Sequence, residues 1–133
     1  SCQNEYIKPD RECTKKYRKY YKYVGYSPCA VLQTSWGCRN HCKFCVRWRI
    51  EGAKVVELPI NEVVDDIKKI NEPYIMIIDN DFLISEKRLV KFLDLIEKKK
   101  IKKVMTTNPG METKIMINVE MVWSIHVFFF KPA

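Results

Sequence analysis

The sequence predicts an α/β protein built on a parallel sheet, and two observations carry that prediction. Three apolar runs have the length of strands, at residues 30–35, 74–78 and 101–107. Two segments with helical spacing of apolar residues separate the second run from its neighbours on either side. Strands that alternate with helices imply crossover connections, and such connections place consecutive strands parallel in one sheet.

The three predicted strands differ in how strongly the sequence marks them. Residues 30–35 read Ala-Val-Leu-Gln-Thr-Ser, a short strand-like run. Residues 74–78 read Tyr-Ile-Met-Ile-Ile, a continuous apolar stretch that suits a strand covered on both faces. Residues 101–107 precede an Asn-Pro-Gly turn at residues 108–110, which marks the end of the third strand.

Two helices are predicted between these strands. The first covers residues 61–71, with Asn61 as its N-cap and with an apolar stripe formed by Val63, Val64, Ile67 and Ile70. The second follows Ser85, which is the predicted N-cap. Its apolar stripe consists of Leu89, Phe92, Leu93 and Ile96.

Length and composition set the class of protein. A chain of 133 residues, 47% of them hydrophobic, is expected to form one domain with its own core. Six cysteines without the spacing of a disulfide framework, and a polar start without a signal peptide, favour a reducing cytoplasm. The organisation predicted is a basic, Tyr-rich N-terminal segment at residues 1–28 followed by the α/β domain at residues 29–133.

The net charge of +8 is concentrated in residues 15–23 and 98–103. The first run mixes basic residues with tyrosines, a pattern found on nucleic-acid-binding surfaces. A solvated segment explains it as well and is the preferred interpretation, so nucleic acid stays a weakly supported partner. The second run lies at the end of a predicted helix, where cations are favourable without any ligand.

The densest chemistry lies directly after the first predicted strand, at Cys38, Cys42 and Cys45. The spacing C-x3-C-x2-C aims three soft sulfur ligands at one point, which suits an iron–sulfur cluster or zinc. In a cluster of four irons, three cysteines leave one iron without a protein ligand, and a small molecule can bind there. The open iron is the main clue to function.

This motif resembles the signature of the radical S-adenosylmethionine (radical SAM) superfamily, C-x3-C-x-aromatic-C, with Phe44 at the aromatic position. The run Gln-Thr-Ser-Trp-Gly at residues 33–37 is similar to the cobalamin-associated type, although Trp36 replaces the usual arginine. The resemblance implies a [4Fe-4S] cluster on the three cysteines. It also implies S-adenosylmethionine on the fourth iron, reductive cleavage of that molecule, and a 5′-deoxyadenosyl radical.

The resemblance also suggests residues that hold S-adenosylmethionine. Phe44 is expected to contact the adenine. The Asp-Asn-Asp run at residues 79–81 follows the second strand, where the family carries an acidic motif that binds the amino group, so Asp81 and Asp79 are predicted ligands. The alternative is that both aspartates are only turn residues or caps before Ser85. Since the carboxyl ends of parallel strands converge, Asn108, after the third strand, is expected to join them.

The family's barrel has six strand–helix units, whereas this sequence predicts about three to four. We therefore expect a partial (β/α) barrel with parallel strands, and a chain that is a fragment or a truncated reading frame. Cobalamin would be bound by a domain absent here. The resemblance implies a flavodoxin- or ferredoxin-like electron donor as a further partner. The apolar stretch at residues 115–130 is too short for a membrane helix, so no membrane partner is expected.

Other functions stay open on the sequence. His41 with the three cysteines gives a Cys3His set for zinc, although structural zinc usually draws its ligands from two separated pairs. The alternatives to a radical SAM enzyme are a non-catalytic iron–sulfur or zinc module and a degenerate piece that keeps the cluster loop. Whether this chain is active alone, and on which substrate, is not fixed by its residues.

Overall fold

The computed structural model describes residues 8–82 and 85–107, and the backbone of residues 115–118. The helices are α1 (Lys15–Arg18), α2 (Arg47–Ile50), α3 (Ile60–Lys69) and α4 (Glu86–Lys98). The strands are β1 (Cys29–Leu32), β2 (Ser35–Trp36), β3 (Val56–Glu57), β4 (Tyr74–Ile77), β5 (Val104–Thr107) and β6 (Ile115–Asn118). The predicted α/β class is confirmed.

One sheet has the strand order β1-β4-β5-β6, and its first three strands are parallel. This arrangement agrees with the predicted partial (β/α) unit. The fourth strand, β6, runs antiparallel to β5. Only residues 108–114 separate these two strands, and a parallel crossover needs a dozen or more residues. A chain that returns so soon can pair only in the antiparallel sense.

The core lies between one face of this sheet and the helices α3 and α4. The side chains of Ile75 and Ile77 in β4 are fully buried, as is Phe92 of α4. Phe82 packs edge-on against Phe92, with the ring centroids 5.5 Å apart. Val31 of β1, between the buried Ala30 and Leu32, is exposed because successive side chains of a strand point to opposite faces.

The sequence placed some boundaries wrongly. The predicted strand at residues 30–35 ends at Leu32, and Ser35 belongs to the separate strand β2. The predicted cap Asn61 lies inside α3, which begins at Ile60 after Pro59. The cap at Ser85 is confirmed, since its hydroxyl oxygen accepts a hydrogen bond from the backbone N–H of Arg88 at 3.3 Å.

Ion pairs fasten the N-terminal segment to the rest of the protein, and one of them joins Lys8 to the carboxylate of Glu62 at 3.8 Å. The guanidinium of Arg11 makes two hydrogen bonds to the carboxylate of Asp66 in α3, at 2.7 and 3.2 Å. Arg18 pairs with Glu72, and both side chains are buried. These contacts hold Arg11 and Arg18 against α3 and the residues that follow it. The predicted domain division at residue 28 stays a prediction.

Within the part of the chain that the structure describes, no helix has the length and apolar character needed to cross a bilayer. Most of the apolar stretch at residues 115–130 lies outside the described residues.

Candidate functional site

A two-stranded ribbon carries the cysteines. The strands β2 and β3 are antiparallel and enclose residues 37–55, which we call the cysteine loop. At the base of this loop the backbone N–H of Cys38 donates to the carbonyl of Gly52 at 3.0 Å. The two ends of the loop are therefore tied together immediately next to the first cysteine.

Gly37 allows this close approach. Its φ of 81° lies in the left-handed region that side chains disfavour. A Cβ atom built there would lie 2.2 Å from the carbonyl oxygen of Lys54 and 3.0 Å from that of Gly52. Since both neighbours are backbone atoms, no side-chain rotation relieves the clash. Only glycine fits before Cys38.

Cys38, Cys42 and Cys45 are free thiols, and all three are partly buried. The carbonyl of Cys42 accepts hydrogen bonds from the backbone N–H of Cys45 at 3.1 Å and from the indole of Trp48 at 3.2 Å. Three reduced thiols within eight residues are donors of the type that an iron–sulfur cluster requires. Across residues 8–82, 85–107 and 115–118, however, no three His, Cys, Asp or Glu side chains lie together as a metal-binding group.

The surroundings of the cysteines are positively charged. Arg39, Lys43, Arg47 and Arg49 are exposed on the loop. The guanidinium of Arg49 lies 4.9 Å from the centre of the Trp48 ring. A metal–thiolate group held by this loop would therefore lie among positive charges.

The turn after β4, residues 79–81, touches the cysteine loop through Asn80. The side-chain amide of Asn80 donates to the carbonyl of Gly37 at 3.1 Å and to the carboxylate of Glu51 at 2.6 Å. Its oxygen accepts from the guanidinium of Arg47 at 2.9 Å. One side chain therefore bridges residues before and after the three cysteines.

Asp81 lies at the same junction. Its side chain is 11% exposed, and its carboxylate is 4.0 Å from the guanidinium of Arg39, between the first two cysteines. Phe44 is 78% exposed in the cysteine loop. The structure thus brings Asp81 beside the cysteine loop that carries Phe44, and their contacts to a cofactor stay predictions. Asn108 lies outside the described residues.

Asp79 points the other way, into the protein. It is 3% exposed, and one carboxylate oxygen accepts from the backbone N–H of Thr34 at 2.6 Å. The other oxygen accepts from the hydroxyl of Thr34 at 2.5 Å and from the hydroxyl of Ser35 at 2.8 Å. Asp79 therefore binds the segment that leads from β1 into the ribbon.

Arg88, in the first turn of α4, completes this network. Its guanidinium donates to the carbonyls of Leu58 at 2.8 Å and Thr34 at 3.0 Å, and lies 3.8 Å from the carboxylate of Glu57. Burial lowers the pKa of Arg88 from its ordinary value, while the charges of Glu57 and Asp79 oppose that shift.

Sequence reasoning did not single out Thr34, Asn80 or Arg88. Thr34 and Asn80 lie within the motif runs at residues 33–37 and 79–81, so a signal for them was present. Arg88 carries no local signal, because its role depends on α4 packing across the ends of two distant strands.

Part of the chain is similar in sequence to a known enzyme. The chain is 30% identical over 88 residues to the hopanoid C-3 methylase of Methylococcus capsulatus (strain ATCC 33009 / NCIMB 11132 / Bath). The match covers 66% of this chain but 17% of the relative, so the chain spans about a sixth of that protein's length. No family model matches the chain. No solved structure matches it either. The similarity to a methylase gives weak support to the radical SAM resemblance, and the cobalamin-associated type stays a prediction.

Proposed function

We propose that this chain is the cluster-binding part of a radical SAM protein, in which Cys38, Cys42 and Cys45 hold a [4Fe-4S] cluster that binds S-adenosylmethionine. The observation that carries the proposal is the C-x3-C-x2-C set of free thiols in a loop that the residue 79–81 turn contacts. When bound, the cluster would supply an electron and an open iron for reductive cleavage of S-adenosylmethionine.

The residues of this chain have separate tasks in the proposal. The thiolates of Cys38, Cys42 and Cys45 would hold the cluster, and an iron without a protein ligand would be open to the amino and carboxylate groups of S-adenosylmethionine. Asp81, beside Arg39, accepts hydrogen bonds from the ammonium of that ligand. Phe44, with its ring exposed, stacks on the adenine. The cations of the loop would balance the negative charge of the bound cluster.

The reaction class that we propose is methyl transfer. The support is the similarity to a methylase, because S-adenosylmethionine is the common methyl donor of cells. The substrate is left unassigned, since this chain spans 17% of the relative and substrate contacts can come from the remainder. A flavodoxin- or ferredoxin-like protein is proposed as the source of the electron, and a cobalamin domain as a further part of the complete enzyme.

Anaerobic reconstitution of the 133-residue chain with iron and sulfide tests the proposal. We expect about four irons per chain, a brown colour with absorbance near 400 nm, and an electron-spin signal that S-adenosylmethionine alters. Replacement of Cys38, Cys42 or Cys45 by serine is expected to abolish the colour. Cys13→Ser is the matched control, because Cys13 is an exposed free cysteine outside the loop.

Three results would contradict the proposal. Colourless protein with one zinc per chain would indicate a structural metal module. A cluster whose electron-spin signal does not change when S-adenosylmethionine is added would indicate a degenerate protein that keeps the cluster loop without the activity. Equal loss of iron in Cys13→Ser and Cys38→Ser would show that the loop does not select the metal.

A further inference from the structure

The carboxylate of Asp79 lies at the centre of a buried polar network at the root of the cysteine loop. It accepts three hydrogen bonds, two from Thr34 in the link between β1 and β2 and one from Ser35, the first residue of β2. We propose that Asp79 is a positioning residue, which sets the geometry of the cysteine loop from inside the protein and does not itself contact the cofactor. This inference rests on the proposed function for its metal readout only.

The burial and the bonding of Asp79 support this role over direct ligand binding. A carboxylate offers about four acceptor sites, and three of them are used within the protein. The residue is also 3% exposed, whereas its neighbour Asp81 lies at the edge of the cysteine loop. Because Asp79 is buried, its carboxylate could reach an ammonium ion at the cysteine loop only by moving away from Thr34, which would leave buried donors without partners.

A chain of hydrogen bonds connects Asp79 to the first cysteine. Asp79 fixes Thr34, whose carbonyl accepts from the backbone N–H of Leu58 at 2.9 Å and from Arg88 at 3.0 Å. Leu58 follows β3 directly, so this bond holds the two strands of the ribbon together at its root. Cys38 lies two residues after the end of β2, where its backbone N–H donates to the carbonyl of Gly52. A shift of Thr34 therefore moves both sides of the loop.

Amide hydrogen exchange on the metal-free protein tests the relay without any cluster. In Asp79→Ala, we expect the amides of Thr34, Leu58 and Cys38 to exchange about tenfold faster, the factor typical of a lost buried hydrogen bond. Thr34→Val and Ser35→Ala each remove one hydroxyl donor and are expected to give smaller increases at Cys38. Asp94→Asn, an exposed aspartate in α4, is the control. The amide of Val104, bonded to Pro73 in another part of the sheet, is the internal reference.

Two outcomes of the exchange experiment would overturn the inference. Faster exchange at Thr34 alone, with Cys38 and Leu58 unchanged, would confine the effect of Asp79 to its own contact. Equal acceleration at Val104 and Cys38 in all three variants would show a general loss of stability with no particular effect on the loop.

Cluster content and the response to S-adenosylmethionine in the reconstituted protein distinguish a positioning role of Asp79 from direct contact with the ligand. Positioning predicts that Asp79→Ala, Thr34→Val and Ser35→Ala all lower the cluster content, in that order of severity. Direct contact predicts that Asp79→Ala alone weakens the response to S-adenosylmethionine, while Thr34→Val behaves as wild type, and this result would overturn the inference. If wild-type protein takes up no cluster, the proposed function fails, and the exchange data on the metal-free chain still decide the role of Asp79.

Discussion

The sheet core and the cysteine loop are held together by different forces. In the core, Ile75 and Ile77 are fully buried against the helices. In the loop, Phe44 is 78% and Ile50 75% exposed, and the residues that fix its shape are polar. The core therefore gains its stability from apolar burial. The free energy of that burial is non-directional and roughly proportional to the apolar area removed from water. The loop depends on a few directional contacts at its base.

This difference separates stability from function. Loss of one core side chain should lower the free energy of unfolding and leave the loop contacts intact. Loss of one contact at the base of the loop should lower the free energy of unfolding by less than loss of a core side chain. It should lower the affinity for metal by more. Substitutions in the two regions test this separation.

The largest stability effect is expected in the core. Phe92→Ala removes a fully buried ring and its edge contact with Phe82. We expect the free energy of unfolding to fall by about 3–5 kcal/mol, measured by urea denaturation. Val90→Ala, on the exposed side of the same helix, is the matched control and should change stability by about 0.5 kcal/mol or less. Similar losses in the two variants would contradict the assignment of the core.

Gly37→Ala is expected to have the largest effect on the loop. The added Cβ would clash with the Lys54 carbonyl at 2.2 Å, so the ribbon must open next to Cys38. We expect cluster affinity to fall by about 10- to 100-fold, the range seen when groups that orient metal ligands are lost.

Gly52→Ala is a close control for Gly37→Ala. Gly52 also has a positive φ, of 99°, but a Cβ atom there meets nothing within 4 Å. Gly52→Ala therefore introduces the strain of a positive φ, about 1–2 kcal/mol, without the backbone clash that Gly37→Ala creates. If the two alanine variants lose the same affinity in an iron titration, the close approach at Gly37 does not matter.

A smaller effect is expected for Asn80→Ala. It removes two exposed hydrogen bonds, to Glu51 and Arg47, and a partly buried one to the carbonyl of Gly37. We expect a loss of about 1 kcal/mol in unfolding free energy and faster amide exchange at Cys38. Asn71→Ala, at an exposed position after α3, should show neither change. If the amide of Cys38 exchanges at the same rate in Asn80→Ala as in wild type, the 79–81 turn does not stabilise the cysteine loop.

The smallest effect concerns a surface ion pair far from the loop. A hydrogen bond from Lys99 lowers the pKa of Asp65. Because the pKa is depressed in the folded state, the pair stabilises the protein above the unfolded value of about 3.9, and this contribution disappears as the pH falls through the folded pKa. Asp65→Asn should therefore melt slightly below wild type at pH 6 and at the same temperature near pH 2. An equal difference at both pH values would exclude the ion pair as its source.

Much of the fold follows from local pattern. The run at residues 74–78 is apolar throughout, and its first four residues form β4, which is paired on both sides in the sheet. Ser85 caps α4 as its position before an amphipathic segment predicted. The first strand was predicted too long because Thr34 and Ser35 form hydrogen bonds to Asp79. The residues around them in the sequence do not indicate a partner 44 or 45 positions away.

The candidate site was predicted less completely than the fold. The cysteine spacing identified the loop, and the resemblance directed attention to residues 79–81. It could not show that Asp79 turns inward while Asn80 bridges the loop, because the orientation of adjacent side chains in a turn depends on tertiary packing. Arg88 was missed for the same reason, since its partners lie on the Thr34–Leu58 junction.

Mössbauer spectroscopy of the protein reconstituted with isotopically enriched iron tests the central claim most directly. With three cysteine ligands, the account predicts two iron environments in a ratio of about three to one, and a change confined to the minor one when S-adenosylmethionine is added. Four equivalent irons that do not respond to S-adenosylmethionine would contradict it.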